Sequence, residues 1–108
     1  MTCSETAPIR VLHVDDDPDF TEVAATVLER MDDRLTVETA PSADEGLSRL
    51  GDERFDCVVS DYQMPGRDGI AFLEAVREED PDLPFVLYTG EGSEGVAGDA
   101  IAAGATDY

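Results

Sequence analysis

The chain contains no lysine. All seven of its bases are arginine, and they face 26 acids, for a net charge of -19 over 108 residues. Such a surface repels phosphate backbones, which excludes direct nucleic-acid binding by this domain. No apolar run approaches the length of a membrane span, which excludes a membrane-spanning helix. The first ten residues, Met1 to Arg10, lack the basic-then-apolar layout of a signal peptide, so the expected location is the cytoplasm. The two cysteines, Cys3 and Cys57, are too few for a disulfide framework or a metal knuckle. Acid-rich composition can mark a disordered chain, but the strong apolar periodicity argues against that here.

What is present is a core-forming alternation. Hydrophobic residues make up 42% of the sequence, enough for one small domain. Segments of β character alternate with helical ones, the pattern of a parallel sheet with helices on both faces. The first strand is Arg10 to Val14. Asp17 then caps a helix with Pro18 at its first position. Phe20, Val23, Ala24, Val27, Leu28 and Met31 form that helix's apolar stripe. Leu35 to Thr39 alternates as a half-exposed edge strand does. Ser42-Ala43-Asp44-Glu45 is a capping box that opens a second helix, with Leu47 and Leu50 inward. Cys57 to Ser60 reads as a central strand. Asp68-Gly69 starts a third helix, with Ile70, Leu73 and Val76 on one face. Phe85 to Tyr88 is the fourth strand. A fourth helix would carry Val96, Ala97, Ala100 and Ile101 and end at Gly104, and Asp107-Tyr108 opens a fifth strand.

Chemistry gathers at the strand ends. The first strand runs into Asp15-Asp16-Asp17, the third into Asp61, and the fourth into Thr89. Parallel α/β sheets hold their ligands outside the carboxyl ends of the strands. An acid pair, a lone acid and a hydroxyl placed there make a magnesium site beside a carboxylate that can be phosphorylated.

Other readings of these residues are weaker. Asp15, Asp17 and Asp19 have the alternate spacing of a calcium loop, but Pro18 and Phe20 stand where that loop needs freedom and glycine. Its twelfth position is Thr26 rather than Glu. Asp17 reads as a helix cap rather than a ligand. Aspartate-based phosphatases want a threonine where Asp19 stands. Gly90-Glu91-Gly92-Ser93-Glu94-Gly95 spells a dinucleotide fingerprint, yet it carries two acids that would repel a pyrophosphate. A flavin-binding protein of similar fold would show bound cofactor on purification. His13, the only histidine, lies inside the first strand and reads as a packed, hydrogen-bonded core residue. Arg67 reads as a solvated loop residue, and Glu78-Glu79-Asp80 as an exposed helix end.

Taken together, Asp15-Asp16, the segment Ser60-Asp61-Tyr62-Gln63-Met64-Pro65-Gly66-Arg67-Asp68-Gly69, Thr89, and Ala103-Gly104-Ala105-Thr106-Asp107-Tyr108 resemble the receiver domain of two-component response regulators. The match runs from Arg10 to Tyr108 and leaves residues 1–9 as an N-terminal tail. The fold it implies is a flavodoxin-like (βα)5 doubly wound parallel sheet in the order 2-1-3-4-5, with the fifth strand and helix truncated. The resemblance makes Asp61 the phosphoacceptor and Asp16, Asp61 and the Gln63 backbone carbonyl the Mg2+ ligands. The resemblance allows Mn2+ in place of that ion. Asp15 is the acid that holds a water on the metal. Thr89 becomes the switch hydroxyl and Tyr108 the switch aromatic, which together change the surface around helix four. Gln63 and Glu91 lie where the family tunes phosphoryl lifetime.

Two departures stand out. The family carries a lysine three residues after the aromatic matched by Tyr108; this sequence contains no lysine and ends at Tyr108, before that position. The expectation is therefore a fragment of a longer protein, with a degenerate receiver that binds metal but does not switch as the alternative. Gly90 stands where the family usually has alanine. The expected function is a phosphoacceptor of a two-component phosphorelay, with Mg2+-dependent transfer from a histidine kinase phosphohistidine to Asp61. Such a domain is not a conventional enzyme, since it catalyses at most its own phosphorylation and slow dephosphorylation. The alternative is a pseudo-receiver, a protein-interaction module that is not phosphorylated. Implied partners are a sensor histidine kinase or phosphotransfer domain and an output domain in the parent protein. The resemblance also allows a homodimer.

The lysine-free acidic surface further reads as halophilic, in the haloarchaeal manner. Salt should then stabilise the fold by screening its self-repulsion. The melting temperature is expected to rise as KCl is raised from low to molar concentration. Calorimetry showing a flat or falling trend would contradict that reading.

Overall fold

The computed structural model describes residues 8–62, 64, 66 and 68–88. Their elements run β1 (Ile9–Val14), α1 (Pro18–Met31), β2 (Leu35–Ala40), α2 (Ala43–Asp52), β3 (Cys57–Asp61), α3 (Gly69–Glu79) and β4 (Phe85–Tyr88). The strands form one parallel sheet in the order β2-β1-β3-β4, the first four places of the expected flavodoxin-like order. The expected fourth helix and fifth strand lie outside the described residues. So do Cys3, Gln63, Arg67, Thr89, Gly90, Glu91 and Tyr108.

Each helix starts where its capping chemistry says it should. Asp17 accepts from the backbone N–H groups of Asp19 (3.1 Å) and Phe20 (3.2 Å), with Pro18 opening α1. The Ser42 hydroxyl accepts from the Glu45 N–H at 3.2 Å and opens α2. Asp68 accepts from the Ala71 N–H at 2.8 Å and opens α3. Each cap satisfies donors that would otherwise lack a partner, and losing one costs about 1 kcal/mol.

Strand register sorts the side chains between two unlike faces. Leu12 pairs with Val58 and Val58 with Phe85; Val14 pairs with Ser60 and Ser60 with Leu87. Side chains alternate along a strand, so these six share one face. All six are fully buried. They lie under α2 and α3, where Phe72 packs edge-on against Phe85 at 5.4 Å. Burying a side chain such as Leu or Phe contributes roughly 1.5–3 kcal/mol, so this face carries most of the fold's stability. Gly46 of α2 lies against Val14 and Phe72, where an added Cβ would stand 3.0 and 3.1 Å from them.

The opposite face carries His13, Val59, Asp61, Val86 and Tyr88. α1 lies against part of it, and its Phe20 ring meets those of His13 and Tyr88. Here the structure departs from the expected stripe. Thr21 is the buried residue of α1, with Ala24 and Leu28 half-buried, while Phe20, Val23, Val27 and Met31 stay exposed. Val23, Val27 and Met31 therefore lie away from the sheet, while Phe20 keeps one edge on it. α1 also blunts the edge strand: Glu29 accepts from the Val37 N–H at 2.9 Å.

Gly69 fixes how closely α3 meets the sheet. A Cβ there would lie 2.5 Å from the Asp61 carbonyl oxygen, 2.6 Å from the Leu87 side chain and 2.9 Å from the Tyr62 Cα. Two of those atoms are backbone and cannot turn aside. Gly69→Ala is expected to destabilise the protein by about 1–3 kcal/mol in urea unfolding. A neutral result would mean that α3 is free to retreat.

His13 generates a pH dependence. It is buried, and burial pushes its pKa below the ordinary 6.5, with nearby Asp15 opposing the shift. The unfolded chain therefore binds this proton more readily than the folded one. Stability is full above pH 6.5 and falls as the pH drops through that value. Melting curves from about pH 7.5 to about 5.5 should show that decline, and His13→Gln should flatten it.

Candidate functional site

β1 and β3 are neighbours, so their carboxyl ends emerge side by side. Asp15 and Asp16 follow Val14 at the end of β1, and Asp61 is the last residue of β3. Carboxylate oxygens of these three residues lie within 4.8 Å of one another. Asp15 is buried, Asp61 half-buried and Asp16 exposed, so the cluster opens to solvent on one side.

Asp15 is the most firmly held of the three. Its backbone N–H donates to the Ala40 carbonyl at 3.1 Å, which extends the ladder one residue past the strand. One carboxylate oxygen accepts from the Asp17 N–H at 2.9 Å. The other accepts a short hydrogen bond from the Tyr88 hydroxyl. Asp61 is fixed from its own strand. It sits in register with Tyr88. The next residue's N–H, at Tyr62, donates to the Tyr88 carbonyl at 2.8 Å. The Gly69 N–H then closes the loop by donating to the Tyr62 carbonyl at 2.9 Å. Within this loop Met64 is buried in the core and Gly66 takes the left-handed conformation at φ 81°. That conformation suits glycine and penalises a side chain.

The donor set fits a small hard cation. Octahedral coordination of magnesium at about 2.1 Å sets ligand oxygens about 3–4 Å apart, close to the spacing already present. Like-charged carboxylates at that spacing repel, and a cation between them relieves the repulsion. Asp17 takes no part, because its carboxylate is committed to the first turn of α1. Gln63, Thr89, Glu91 and Tyr108, the other expected site residues, lie outside the described residues.

Tyr88 is the site residue that sequence reasoning overlooked. Its hydroxyl lies 2.8 Å from His13 Nε2 as well as on Asp15. Burial raises the phenol pKa first, followed by its hydrogen bond to Asp15 and the repulsion of Asp15, Asp61 and Asp16. These effects favour the protonated phenol, the form that can donate. His13 Nδ1 is buried with no partner among the described residues. An unpartnered buried polar atom costs about 1–3 kcal/mol. The signal available in the sequence was parity. His13 and Asp15 are two apart on β1, and a tyrosine ends a strand that is otherwise apolar.

Cys57 carries no chemistry here. Burial, then the neighbouring Asp56 charge, pushes its thiol pKa up, which disfavours the reactive thiolate. No helix among the described residues is long and apolar enough to cross a membrane.

Comparison with known proteins agrees with this geometry. The response regulator receiver domain pattern matches residues 11–108. The chain is 39% identical over 98 residues to the C4-dicarboxylate transport transcriptional regulatory protein DctD of Rhizobium meliloti, covering 91% of this chain and 21% of that protein. It is 31% identical over 99 residues to the response regulator protein PilR of Pseudomonas aeruginosa, covering 92% of this chain and 22% of that protein. The chain therefore spans only a small part of these relatives' length. Among solved structures, chemotaxis protein CheY4 of Vibrio cholerae superposes with a TM-score of 0.87 at 32% identity, covering 94% of this chain and 84% of that one. A receiver domain protein from Methanospirillum hungatei gives 0.86 at 29% identity, with coverages of 94% and 80%. Sequence and fold thus converge on one assignment: the chain belongs to the response regulator receiver domain family.

Proposed function

We propose that this receiver accepts a phosphoryl group on Asp61, delivered by the phosphohistidine of a sensor histidine kinase or phosphotransfer domain. The observation that carries the reading is the convergence of Asp15, Asp16 and Asp61 at adjacent strand ends. A carboxylate oxygen of Asp61 attacks phosphorus, the P–N bond breaks as the P–O bond forms, and the imidazole leaves with its proton restored from solvent. This is nucleophilic catalysis by a carboxylate. Asp61 is suited to it because β3 and the Tyr62–Gly69 hydrogen bond hold its backbone still while one side of the site stays open.

Asp16, Asp61 and the Gln63 carbonyl would hold Mg2+ directly, with Asp15 reaching it through water, and Mn2+ would suit the same oxygens. The ion, when bound, supplies positive charge that offsets the phosphoryl oxygens among the carboxylates. Thr89 and Tyr108 are the proposed switch pair, and Gln63 and Glu91 the residues that set phosphoryl lifetime. The output is a changed surface around helix four, read by an output domain in a cytoplasmic parent protein. Beyond its own phosphorylation and slow dephosphorylation, no catalytic activity is proposed.

Intact-mass measurement after acetyl phosphate and MgCl2 treatment in high salt tests this. Wild-type protein should gain one phosphoryl group and Asp61→Asn none. Labelling of Asp61→Asn would place the acceptor elsewhere. An unlabelled wild type that still takes up Mg2+ would favour a non-phosphorylated interaction module.

A further inference from the structure

We infer that Tyr88, oriented by His13, is a positioning residue that holds the Asp15 carboxylate in place for metal binding. The inference rests on reading Asp15, Asp16 and Asp61 as the metal site.

Hydrogen-bond chemistry sets the direction of the relay. A carboxylate only accepts, so the Tyr88 hydroxyl proton lies on Asp15. The hydroxyl oxygen is left to accept, so the proton of His13 lies on Nε2, 2.8 Å away. Nδ1 then carries a lone pair and no proton. This is the nitrogen found buried without a partner, and a bare lone pair there is the milder of the two possible orphans. Every polar atom of the trio thus has one consistent assignment.

Two further observations favour positioning over simple packing. First, both Asp15 oxygens have a directed donor, the Asp17 N–H and the Tyr88 hydroxyl, so the carboxylate cannot turn about its last bond without breaking one. Second, a ring of α1 packs against the relay on one side. Phe20 of α1 stands against both rings, with centroids 5.8 Å from His13 and 6.0 Å from Tyr88. An apolar residue at position 13 would fill the strand without burying an unpartnered nitrogen. Beyond its ring packing, what the histidine adds is a donor aimed at Tyr88.

The test is Mg2+ titration of the wild-type protein and of Tyr88→Phe, followed by amide NMR shifts at Asp15, Asp16 and Asp61 in high salt. Metal-free melting temperatures are recorded beside it. Tyr88→Phe should raise the Mg2+ dissociation constant by up to about tenfold, the low end of the scale for losing a partner that orients a ligand, since Asp15 reaches the ion through water. The protein should stay folded with a lower metal-free melting temperature. His13→Leu should weaken binding in the same direction, and His13→Gln, which keeps an N–H aimed at Tyr88, should restore it. The double variant Tyr88→Phe with His13→Leu should be no weaker than Tyr88→Phe alone, because His13 acts through the tyrosine. Unchanged affinity in folded Tyr88→Phe overturns the inference and leaves the metal-site reading standing. If Tyr88→Phe fails to fold, equal affinities in His13→Leu and His13→Gln overturn it instead. A wild-type protein that takes up no Mg2+ overturns both the inference and the site reading on which it rests.

Discussion

Like-charge repulsion at the ends of β1 and β3 is the constraint around which the rest of this structure is arranged. Three carboxylates stand with oxygens within 4.8 Å of one another on a chain whose net charge is -19. Left free, such groups would separate. They are held by strand register, by the ladder hydrogen bond that carries Asp15 one step beyond β1, and by the close docking of α3 at Gly69. A cation placed among them would offset that repulsion. In a response regulator receiver domain, a site of this kind suits a signal carried by a change in local charge.

The two faces of the sheet divide the labour. Beneath α2 and α3, a buried layer that is apolar except for Ser60 runs from Leu12 to Leu87 and supplies stability. Beneath α1, His13, Asp61 and Tyr88 form a more polar layer that leads to the open end of the sheet. The rigid layer fixes the backbone, and the polar layer uses that fixed backbone to aim side chains. Gly69 serves both, since its missing Cβ lets α3 pack on Leu87 while its N–H closes the loop after Asp61.

Much of this was legible before any coordinates. The helix starts at Asp17, Ser42 and Asp68 are written in local capping chemistry, which involves residues two or three positions apart. Asp15, Asp16 and Asp61 were legible as a group because each ends an apolar strand, and parallel strands share a carboxyl edge. The stripe on α1 was legible as helix but misleading as core. Periodicity reports that residues share a side of a helix, not which side meets the sheet. The sheet took the side with Thr21, Ala24 and Leu28.

The sequence by itself therefore determined the elements, their order, the parallel sheet and the acids at its edge, since all of these follow from periods and caps that span a few residues. Tertiary structure alone decided that the Tyr88 hydroxyl meets Asp15, a residue 73 positions away, and that His13 stands behind it at 2.8 Å. Contacts of that kind depend on the register between strands that are distant in the chain. Register is set by the packing of whole faces, a property that no short window of sequence contains.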